Sequence, residues 1–322
     1  MEIPVALGMG LDKLASGMDL AKLTENASGI SARYRSGEKQ GRRLVTGAGE
    51  CIAYAVSRMP ATYCAVYSAL GYALEAMGGE APRTLMDIGA GTGAGSWAAS
   101  ELLPLGEITC VERESAMIRV GRELAAYGGE SLKKAEWKQA DVTAEPIPGR
   151  GELVIAAYIL NELEPKKQAE LVSALWEKID KMLLLVEPGT PEGYGNLLAV
   201  RELLLKKGAH IAAPCPGEYA CPIRGEDWCH FTCRVPRSKL HRQLKGGEAP
   251  YEDEKYAYLA LCREPCNPPL ARVLRHPQIG KGYIELEICR DGKKEKIGVT
   301  KKKPELFRFA RKCACGDGMK EE

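Results

Sequence analysis

The chain has 322 residues and a formal net charge of +2; 45% of its residues are hydrophobic and 27% are charged. This length allows one large or two medium domains with a substantial core, and the composition excludes a disordered chain. No apolar run reaches the roughly 18 residues that a membrane-spanning helix needs. The start of the chain also lacks a basic leader followed by an apolar block. We therefore predict no membrane partner, a monomer and a cytoplasmic location.

The first predicted region, residues 1–80, is helical. Apolar residues recur at three- and four-residue spacing between Gly49 and Met77, and Pro60 within this stretch should end or kink a helix. From residue 81 to 210, short apolar strands alternate with segments long enough for helices. This alternation predicts a parallel sheet covered by helices on both faces.

Two further regions complete the predicted organisation. Residues 211–250 form a cysteine-rich insertion with little regular periodicity. Residues 251–322 are expected to supply the last strands of the sheet and a basic C-terminal region. Within it, the pair Asp291-Gly292 predicts a hairpin turn.

The first strand of the sheet ends in "LMDIGAGTGAG", which carries Asp87 and the alternating glycines Gly89, Gly91 and Gly93 around Ala90. Glycines at this position allow a sharp turn and let a ligand approach the backbone. The same pattern occurs in dinucleotide sites, and a tight turn without a ligand is the alternative. The order Asp-x-Gly-x-Gly-x-Gly resembles S-adenosylmethionine methyltransferases more than nicotinamide dehydrogenases.

Three polar residues follow the next strands. Glu112 ends the second strand, where a carboxylate can accept hydrogen bonds from ribose hydroxyls, and Asp141 ends the third, where it could contact an adenine. Asn161 follows the fourth strand, at the expected substrate side, and could equally cap the next helix. With the glycine turn, these residues form the predicted S-adenosylmethionine site, and no catalytic residue is predicted because methyl transfer mainly requires alignment.

Twelve cysteines are present, and nine lie at or beyond Cys215. A reducing compartment disfavours disulfides and favours metal ligation. The spacing Cys215-x5-Cys221-x7-Cys229-x3-Cys233 matches neither zinc ribbons nor ferredoxins, so it leaves a four-thiolate zinc site and an iron–sulfur cluster both open. Since the segment is polar and rich in proline and glycine, it needs a staple such as a metal.

Basic residues concentrate in three places. One cluster, between residues 230 and 245, contains no acid and consists of Arg234, Arg237, Lys239, Arg242 and Lys245. A second lies near the N-terminus and consists of Arg33, Arg35, Lys39, Arg42 and Arg43. The third spans residues 266–322, with 14 basic and 8 acidic residues. Each alone is typical of a solvated surface, but together they indicate an RNA-facing surface.

Several segments occur in the order found in one family: "AYAVSRMPATYCAVYSAL", "LMDIGAGTGAGSWAA", "APCPGEYACPIRGEDWCHF" and "YEDEKYAYLAL". They resemble the methyltransferase-like proteins of the small ribosomal subunit, which include mitochondrial ribosome assembly factors and their bacterial and archaeal relatives. The resemblance implies a class I methyltransferase fold, with a mostly parallel seven-stranded sheet, and association with small-subunit ribosomal RNA.

The resemblance also implies a structural 4Fe–4S cluster held by Cys215, Cys221, Cys229 and Cys289. Cys233 is then a spare thiol or an alternative to Cys289 as the fourth ligand, and His230 is expected to serve packing or RNA contact. The basic cluster from Arg234 to Lys245 would meet the RNA. Two functions remain open, a methyltransferase acting on small-subunit ribosomal RNA and a non-catalytic assembly factor that uses the same fold as a scaffold.

Overall fold

The computed structural model describes residues 2–35, 45 and 47–320. The helices, in chain order, are α1 (Val5–Ala15), α2 (Leu20–Arg35), α3 (Ala48–Ser57), α4 (Met59–Ala76), α5 (Ala94–Leu102), α6 (Ser115–Ala125), α7 (Glu130–Lys133), α8 (Pro165–Trp176), α9 (Pro191–Leu205), α10 (Lys239–Lys245) and α11 (Pro304–Lys312). A short 3₁₀ turn covers Leu160–Glu162.

The strands, in chain order, are β1 (Thr84–Ile88), β2 (Glu107–Glu112), β3 (Glu136–Gln139), β4 (Gly151–Ala157), β5 (Ile179–Pro188), β6 (His210–Ala213), β7 (Phe231–Pro236), β8 (Tyr251–Cys262), β9 (Ala271–Val273), β10 (Gln278–Ile279), β11 (Tyr283–Arg290), β12 (Lys293–Thr300) and β13 (Gly318–Met319).

The main sheet has the strand order β3-β2-β1-β4-β5-β8-β6. Strands β1 to β5 are parallel to their neighbours, whereas β8 runs antiparallel to both β5 and β6. An eighth strand, β7, continues the edge formed by β6 and pairs with the first half of β8. The mostly parallel sheet predicted from the alternating pattern is therefore confirmed, with one strand more than expected.

Central strands of the sheet are apolar along their whole length because both faces are covered. The stretch Met182–Val186 of β5 is fully buried. One face packs against the N-terminal helices and α5. The other packs against α8 and α9, and Trp176 of α8 is buried between them and the sheet. Burial on both faces fixes the strand ends, which in turn position the loops that follow them.

The N-terminal helices cover one end of this sheet. Helix α3 ends at Ser57 and α4 begins at Met59, so Pro60 lies in the first turn of α4. Proline is tolerated there because that turn has no backbone hydrogen bond to lose. The predicted break at Pro60 is confirmed. No helix in the described ranges is long and apolar enough to span a bilayer.

The chain after β8 departs from the prediction that it supplies the last strands of the main sheet. Only β8 joins that sheet, while β9 to β13 form a separate five-stranded sheet. The reason is that β11 and β12 alternate charged and apolar residues and cover a small core of their own beneath α11. The predicted hairpin turn is present, with φ of 48° at Asp291 and 68° at Gly292.

Candidate cofactor and metal sites

The glycine turn after β1 lines a cavity at the carboxyl ends of the parallel strands, with an empty volume of about 840 Å³. Gly89 and Gly91 line it and have φ of 63° and 55°, a conformation that favours glycine. A Cβ atom at Gly89 would also lie 3.0 Å from Cδ1 of Ile159. The cavity lies where the strand order reverses between β1 and β4, which is the ligand position in open α/β sheets.

Glu112 at the end of β2 shapes this turn. Its Oε2 accepts a hydrogen bond of 2.9 Å from the Gly91 amide, and its Oε1 accepts one of 2.9 Å from the Glu114 amide. Burial raises the pKa of Glu112 above its usual value, although these amides oppose the shift. Because an ionised carboxylate offers about four acceptor sites, each oxygen can accept a further donor from the cavity.

Asp87 does not line the cavity. Its Oδ2 accepts hydrogen bonds of 2.8 Å from both the amide and the hydroxyl of Ser96, so it joins β1 to the first turns of α5. The carboxyl is buried, and desolvation raises its pKa from 3.8 to about 6. The structure thus places Asp87 behind the glycine turn. Ala90 and Gly93, which were also predicted to contact the ligand, do not line the cavity either.

Asp141, after β3, lines the cavity. Its Oδ1 accepts hydrogen bonds of 2.9 Å and 2.6 Å from the amide and hydroxyl of Thr143. Desolvation pushes the pKa of Asp141 upward, but these bonds and the nearby Arg113 hold it below the usual value. Asn161 lies outside the lining, and its backbone N–H donates a hydrogen bond of 3.0 Å to Oε2 of Glu187.

The chain at and after the end of β4 completes the cavity. Glu162 lines it beside Arg113, whose Nη2 lies 3.8 Å from Oε2 of Glu162. Burial raises the pKa of Glu162 to about 7. Tyr158 holds a φ of 61° and donates its hydroxyl to Glu254 at 3.1 Å. A non-glycine residue in this conformation is strained and is often found at functional sites.

The N-terminal region also contributes to this cavity, through Val45 and Tyr54. Nothing in their local sequence distinguishes them from core residues, so only the packing of α3 reveals their position. The other N-terminal prediction, the basic cluster, falls mostly outside the described residues. Arg33 is described, and its Nη2 lies 2.7 Å from Oε1 of Glu50.

A second cavity, with an empty volume of about 710 Å³, is lined by Cys215, Cys221, Cys229 and Cys289. Three of these cysteines come from the segment between β6 and β7, and Cys289 comes from β11 of the second sheet. Within the described ranges, no group of three or more histidine, cysteine or acidic side chains is arranged to hold a metal ion. The four thiols therefore share a cavity without converging on one point.

Burial controls the protonation of three of these thiols. Desolvation, together with the neighbouring Cys215 and Cys221, raises the pKa of Cys289 to about 12. Desolvation also raises the pKa of Cys215 and of Cys229, while Arg201 opposes the shift at Cys215. The hydroxyl of Tyr194 lies 3.1 Å from Sγ of Cys221. Cys215, Cys229 and Cys289 therefore stay protonated without a metal, and metal binding would release their protons.

Two buried arginines line the same cavity. Arg272 donates to the carbonyls of Pro214 (2.8 Å) and Gly316 (2.9 Å), and Arg201 donates to the carbonyl of Tyr219 (2.5 Å). Nε of Arg201 and Nη2 of Arg272 are buried without a hydrogen-bond partner in the described part of the chain. A buried charge requires a counter-charge or hydrogen bonds to its remaining donors. The donor set therefore fits an anionic group bound among the cysteines.

His230 and three further cysteines of this region do not line the second cavity. Cys233 is buried in the main core and does not line the cavity. His230 packs on Trp228, with ring centroids 5.1 Å apart, and also stays outside the lining. Cys315 contacts the carbonyl of Leu274 at 3.1 Å, and Cys313 lies at the end of α11.

Several side chains of the basic cluster at residues 234–245 form ion pairs with acidic side chains of β8. Glu252 on β8 lies 2.5 Å from Arg237 and 2.6 Å from Lys245. Arg234 lies 3.4 Å from Asp253 and stacks 4.0 Å from the centre of the Tyr251 ring. Among the predicted RNA-contacting residues, Lys239 is exposed and Arg242 is half-buried.

The strand order and the cavity at the carboxyl ends of the parallel strands define the class: a Rossmann-like protein with the class I methyltransferase fold. The family model described as "Mitochondrial small ribosomal subunit Rsm22" matches residues 48–320. The chain belongs to this family, which confirms the resemblance inferred from the sequence.

The chain is also similar to individual mitochondrial proteins. It is 29% identical to human "Ribosome assembly protein METTL17, mitochondrial" over 261 residues, which is 73% of this chain and 55% of that protein. It is 24% identical to "Rsm22-cox11 tandem protein 2, mitochondrial" of Schizosaccharomyces pombe, over 93% of this chain and 46% of that protein. The chain spans about half the length of these relatives.

Solved structures that partly superimpose on this chain include magnesium protoporphyrin IX methyltransferase from Synechocystis with bound S-adenosylmethionine. This match has a TM-score of 0.41 and 13% identity, and it covers 77% of this chain and 98% of that one. Another is the ribosomal protein L11 methylase from Lactobacillus delbrueckii, with a TM-score of 0.38 and 15% identity over 61% of this chain and 77% of that one. The strand order, rather than these overlaps, defines the fold.

The predicted cytoplasmic location is wrong by these matches. The family model describes a mitochondrial small-subunit protein, and the human and fission-yeast relatives are named as mitochondrial. The prediction depended on the absence of a leader pattern in the first residues, which is a weaker indication than membership of a family.

Proposed function

We propose that this chain binds S-adenosylmethionine in the glycine-turn cavity, holds a 4Fe–4S cluster among four cysteines, and acts on the small ribosomal subunit during its assembly. The observation that carries the proposal is the second cavity, where four thiols from two distant segments meet two buried arginines with unpartnered donors. The family of the chain gives the partner class, since its model describes a small-subunit protein.

Binding of S-adenosylmethionine is supported by the backbone of the first cavity. The turn at Gly89 and Gly91 leaves room beside the strand ends, and Glu112 retains acceptor capacity toward that room. In this arrangement Glu112 would accept hydrogen bonds from the ribose hydroxyls of S-adenosylmethionine, and Asp141 would lie near its adenine. Asp87 would act indirectly, by fixing the turn through Ser96.

The cysteine cavity favours a cluster over a single zinc ion. Four thiolates on one zinc must converge at about 2.3 Å from a single point. The ligands of a 4Fe–4S cluster bind separate irons, so their sulfurs surround a larger group. Cys215, Cys221, Cys229 and Cys289 would hold the cluster, which would supply a covalent link between the insertion and the second sheet. Arg201 and Arg272 would balance its negative charge.

Association with the ribosome is supported by the matching relatives. The human relative is named a ribosome assembly protein, and the family model names the small subunit. We infer that this chain binds small-subunit ribosomal RNA while the subunit is incomplete. The same fold would serve either as a scaffold or as an enzyme.

Methyl transfer is the second candidate, and Glu162 is the observation that favours it. Its carboxyl lines the cofactor cavity and has a pKa of about 7, so it can accept a proton at neutral pH. If methyl transfer occurs, Glu162→Gln should abolish its dependence on a group titrating near pH 7. Modified nucleotides of small-subunit RNA from cells with and without the gene should then differ; an unchanged profile with defective small subunits would favour the scaffold.

Calorimetric titration with S-adenosylmethionine tests the cofactor proposal. The parent chain should bind, and Glu112→Gln should weaken binding about 10- to 100-fold, because one charged hydrogen-bond acceptor is lost. Glu107→Gln, at the exposed start of the same strand, is the matched control and should bind like the parent. An absence of binding heat from the folded parent, checked by thermal unfolding in the presence of the compound, would refute this part.

Anaerobic purification tests the cluster. The parent should be brown and contain about four irons and four sulfides per chain. Cys289→Ser should lose most of the visible absorbance, whereas Cys233→Ser should retain it because Cys233 does not line the cavity. Colourless protein with one zinc per chain, or equal loss in both variants, would overturn the assignment of ligands.

A further inference from the structure

A basic groove lies on the C-terminal helix, within the third basic region of the sequence and far along the chain from the cluster at residues 234–245. We use the name basic groove for the surface lined by Lys301, Pro304, Phe307, Arg308, Arg311 and Lys312, which has an empty volume of about 760 Å³. Lys302 and Lys303 extend its charge along the turn before α11. Six cations therefore fall within residues 301–312, with Glu305 as the single acid.

Most of this charge is available to a ligand. Glu305 lies 2.6 Å from Arg308, and both side chains are about two-thirds exposed. Lys301, Lys302, Lys303, Arg311 and Lys312 are exposed, and none is paired with a carboxylate in the described part of the chain. By contrast, on the neighbouring β12 Lys294 lies 2.5 Å from Asp227, and Lys296 lies 3.4 Å from Glu285.

One aromatic side chain accompanies these cations. Phe307 lines the groove and is half-buried, because it also packs on the core of the second sheet. The support beneath is firm, since Ala310 is fully buried and Leu306 and Phe309 pack on the same core. Cations around a partly exposed aromatic ring form a surface on which an unpaired base can stack while its phosphates bind the cations.

We propose that the basic groove binds single-stranded nucleic acid, with phosphates on Lys301, Lys302, Arg311 and Lys312 and a base stacked on Phe307. Single strands fit better than a duplex, because only unpaired bases expose their faces to aromatic rings. The choice of RNA rather than DNA rests on the proposed ribosomal function. The binding itself does not depend on the cofactor, the cluster or an assembled subunit.

Fluorescence anisotropy with a short labelled single-stranded RNA of mixed sequence, measured at several salt concentrations, tests the proposal. The double variant Lys301→Gln/Lys302→Gln should weaken binding at least 10-fold at low salt. It should also reduce the salt slope by roughly 0.7 for each lysine that contacts a phosphate. Phe307→Leu, which keeps an apolar side chain against the core, should weaken binding about 5- to 100-fold with no change in the salt slope, because stacking carries no charge.

Two double variants serve as comparisons. Lys206→Gln/Lys207→Gln removes two exposed lysines after α9 and should bind like the parent. Lys239→Gln/Arg242→Gln removes charge from the cluster predicted from the sequence and should have the smaller effect. Parental affinity of the Lys301→Gln/Lys302→Gln variant would overturn the proposal, as would equal loss in all three double variants or equal affinity for a duplex of the same sequence. Each of these outcomes leaves the cofactor and cluster tests unaffected.

Discussion

Asp87 and the pair Arg201 and Arg272 are buried charges of opposite kinds. Among the residues that the structure describes, Asp87 receives two hydrogen bonds from Ser96 and contacts no cation, whereas each arginine keeps one donor without a partner. A buried group of this kind is costly unless its charge is neutralised. For Asp87 the neutralising event is protonation, and for the arginines we propose the bound cluster.

The raised pKa of Asp87 gives a prediction for stability against pH. Since the pKa is about 6 in the folded chain and 3.8 ordinarily, the folded state binds one proton more between these values. The free energy of unfolding of the parent should therefore fall as the pH rises from about 4 to about 6, and level off above 6. Asp87→Asn removes this term, because its amide stays neutral.

Denaturant unfolding of parent and variant between about pH 4 and pH 8 measures the difference. Asp87→Asn should gain up to about 3 kcal/mol relative to the parent above pH 6, with the gain shrinking toward pH 4. A difference that stays constant with pH would show that Asp87 is not neutralised on acidification.

Arg201 gives a prediction for the electrostatics of the cluster. Reduction adds a negative charge to the cluster, and a nearby guanidinium stabilises that charge. Arg201→Gln should therefore shift the midpoint potential to a more negative value, measured by dye-mediated titration of the anaerobic protein. Arg308→Gln, which removes an exposed cation on α11, should leave the potential unchanged. An unshifted potential in Arg201→Gln would contradict a counter-charge role.

At the scale of elements, the turn of the hairpin β11–β12 packs closely against the cysteine-rich insertion. Gly292 in the hairpin turn has a φ of 68°, and a Cβ added there would lie 2.9 Å from Cβ of Tyr219 in the insertion. Trp228 fixes the other side of the insertion, because its Nε1 donates to the carbonyl of Gly189 at 2.9 Å. These contacts keep Cys289 opposite the three cysteines of the insertion.

Gly292→Ala should separate the two elements. The alanine costs about 1 kcal/mol for its backbone conformation and must also displace Tyr219. Gly282→Ala is the matched control, since Gly282 has a φ of 87° but no atom within 4 Å of an added Cβ. Both variants should lose similar stability from the backbone, measured by thermal unfolding, but Gly292→Ala alone should lose iron content. Equal iron content in the two variants would contradict this role of the turn.

The same elements show what the sequence could predict. Glycines, strand-end acids and the Asp291-Gly292 turn are local signals. Gly89, Gly91, Glu112 and Asp141 line the first cavity, whereas Asp87 lies behind the glycine turn, and the pattern of residues alone does not separate these two positions. Cys289 came from the family resemblance, because no spacing rule links it to Cys229. The pairing of Arg237 and Lys245 with Glu252 depends on the register of β7 against β8, which the sequence alone does not give.

At the scale of the whole molecule, two cavities share one sheet. The glycine-turn cavity lies at the carboxyl ends of β1 to β4, and the cysteine cavity lies where β8, α9 and the second sheet meet. The class of fold was predictable because long periodic segments determine it. The position of the second sheet was not, since short amphipathic strands such as β11 can extend a main sheet or cover a core of their own. Burial of Arg201 and Arg272 likewise appears only in the folded chain.

Native mass spectrometry of the anaerobically purified chain is the most direct test of the central claim, that the four cysteines hold a 4Fe–4S cluster. The account predicts one dominant species, heavier than the bare chain by four irons and four sulfides, which disappears in Cys289→Ser and persists in Cys233→Ser. A parent chain that carries one zinc, or no added mass at all, would contradict it.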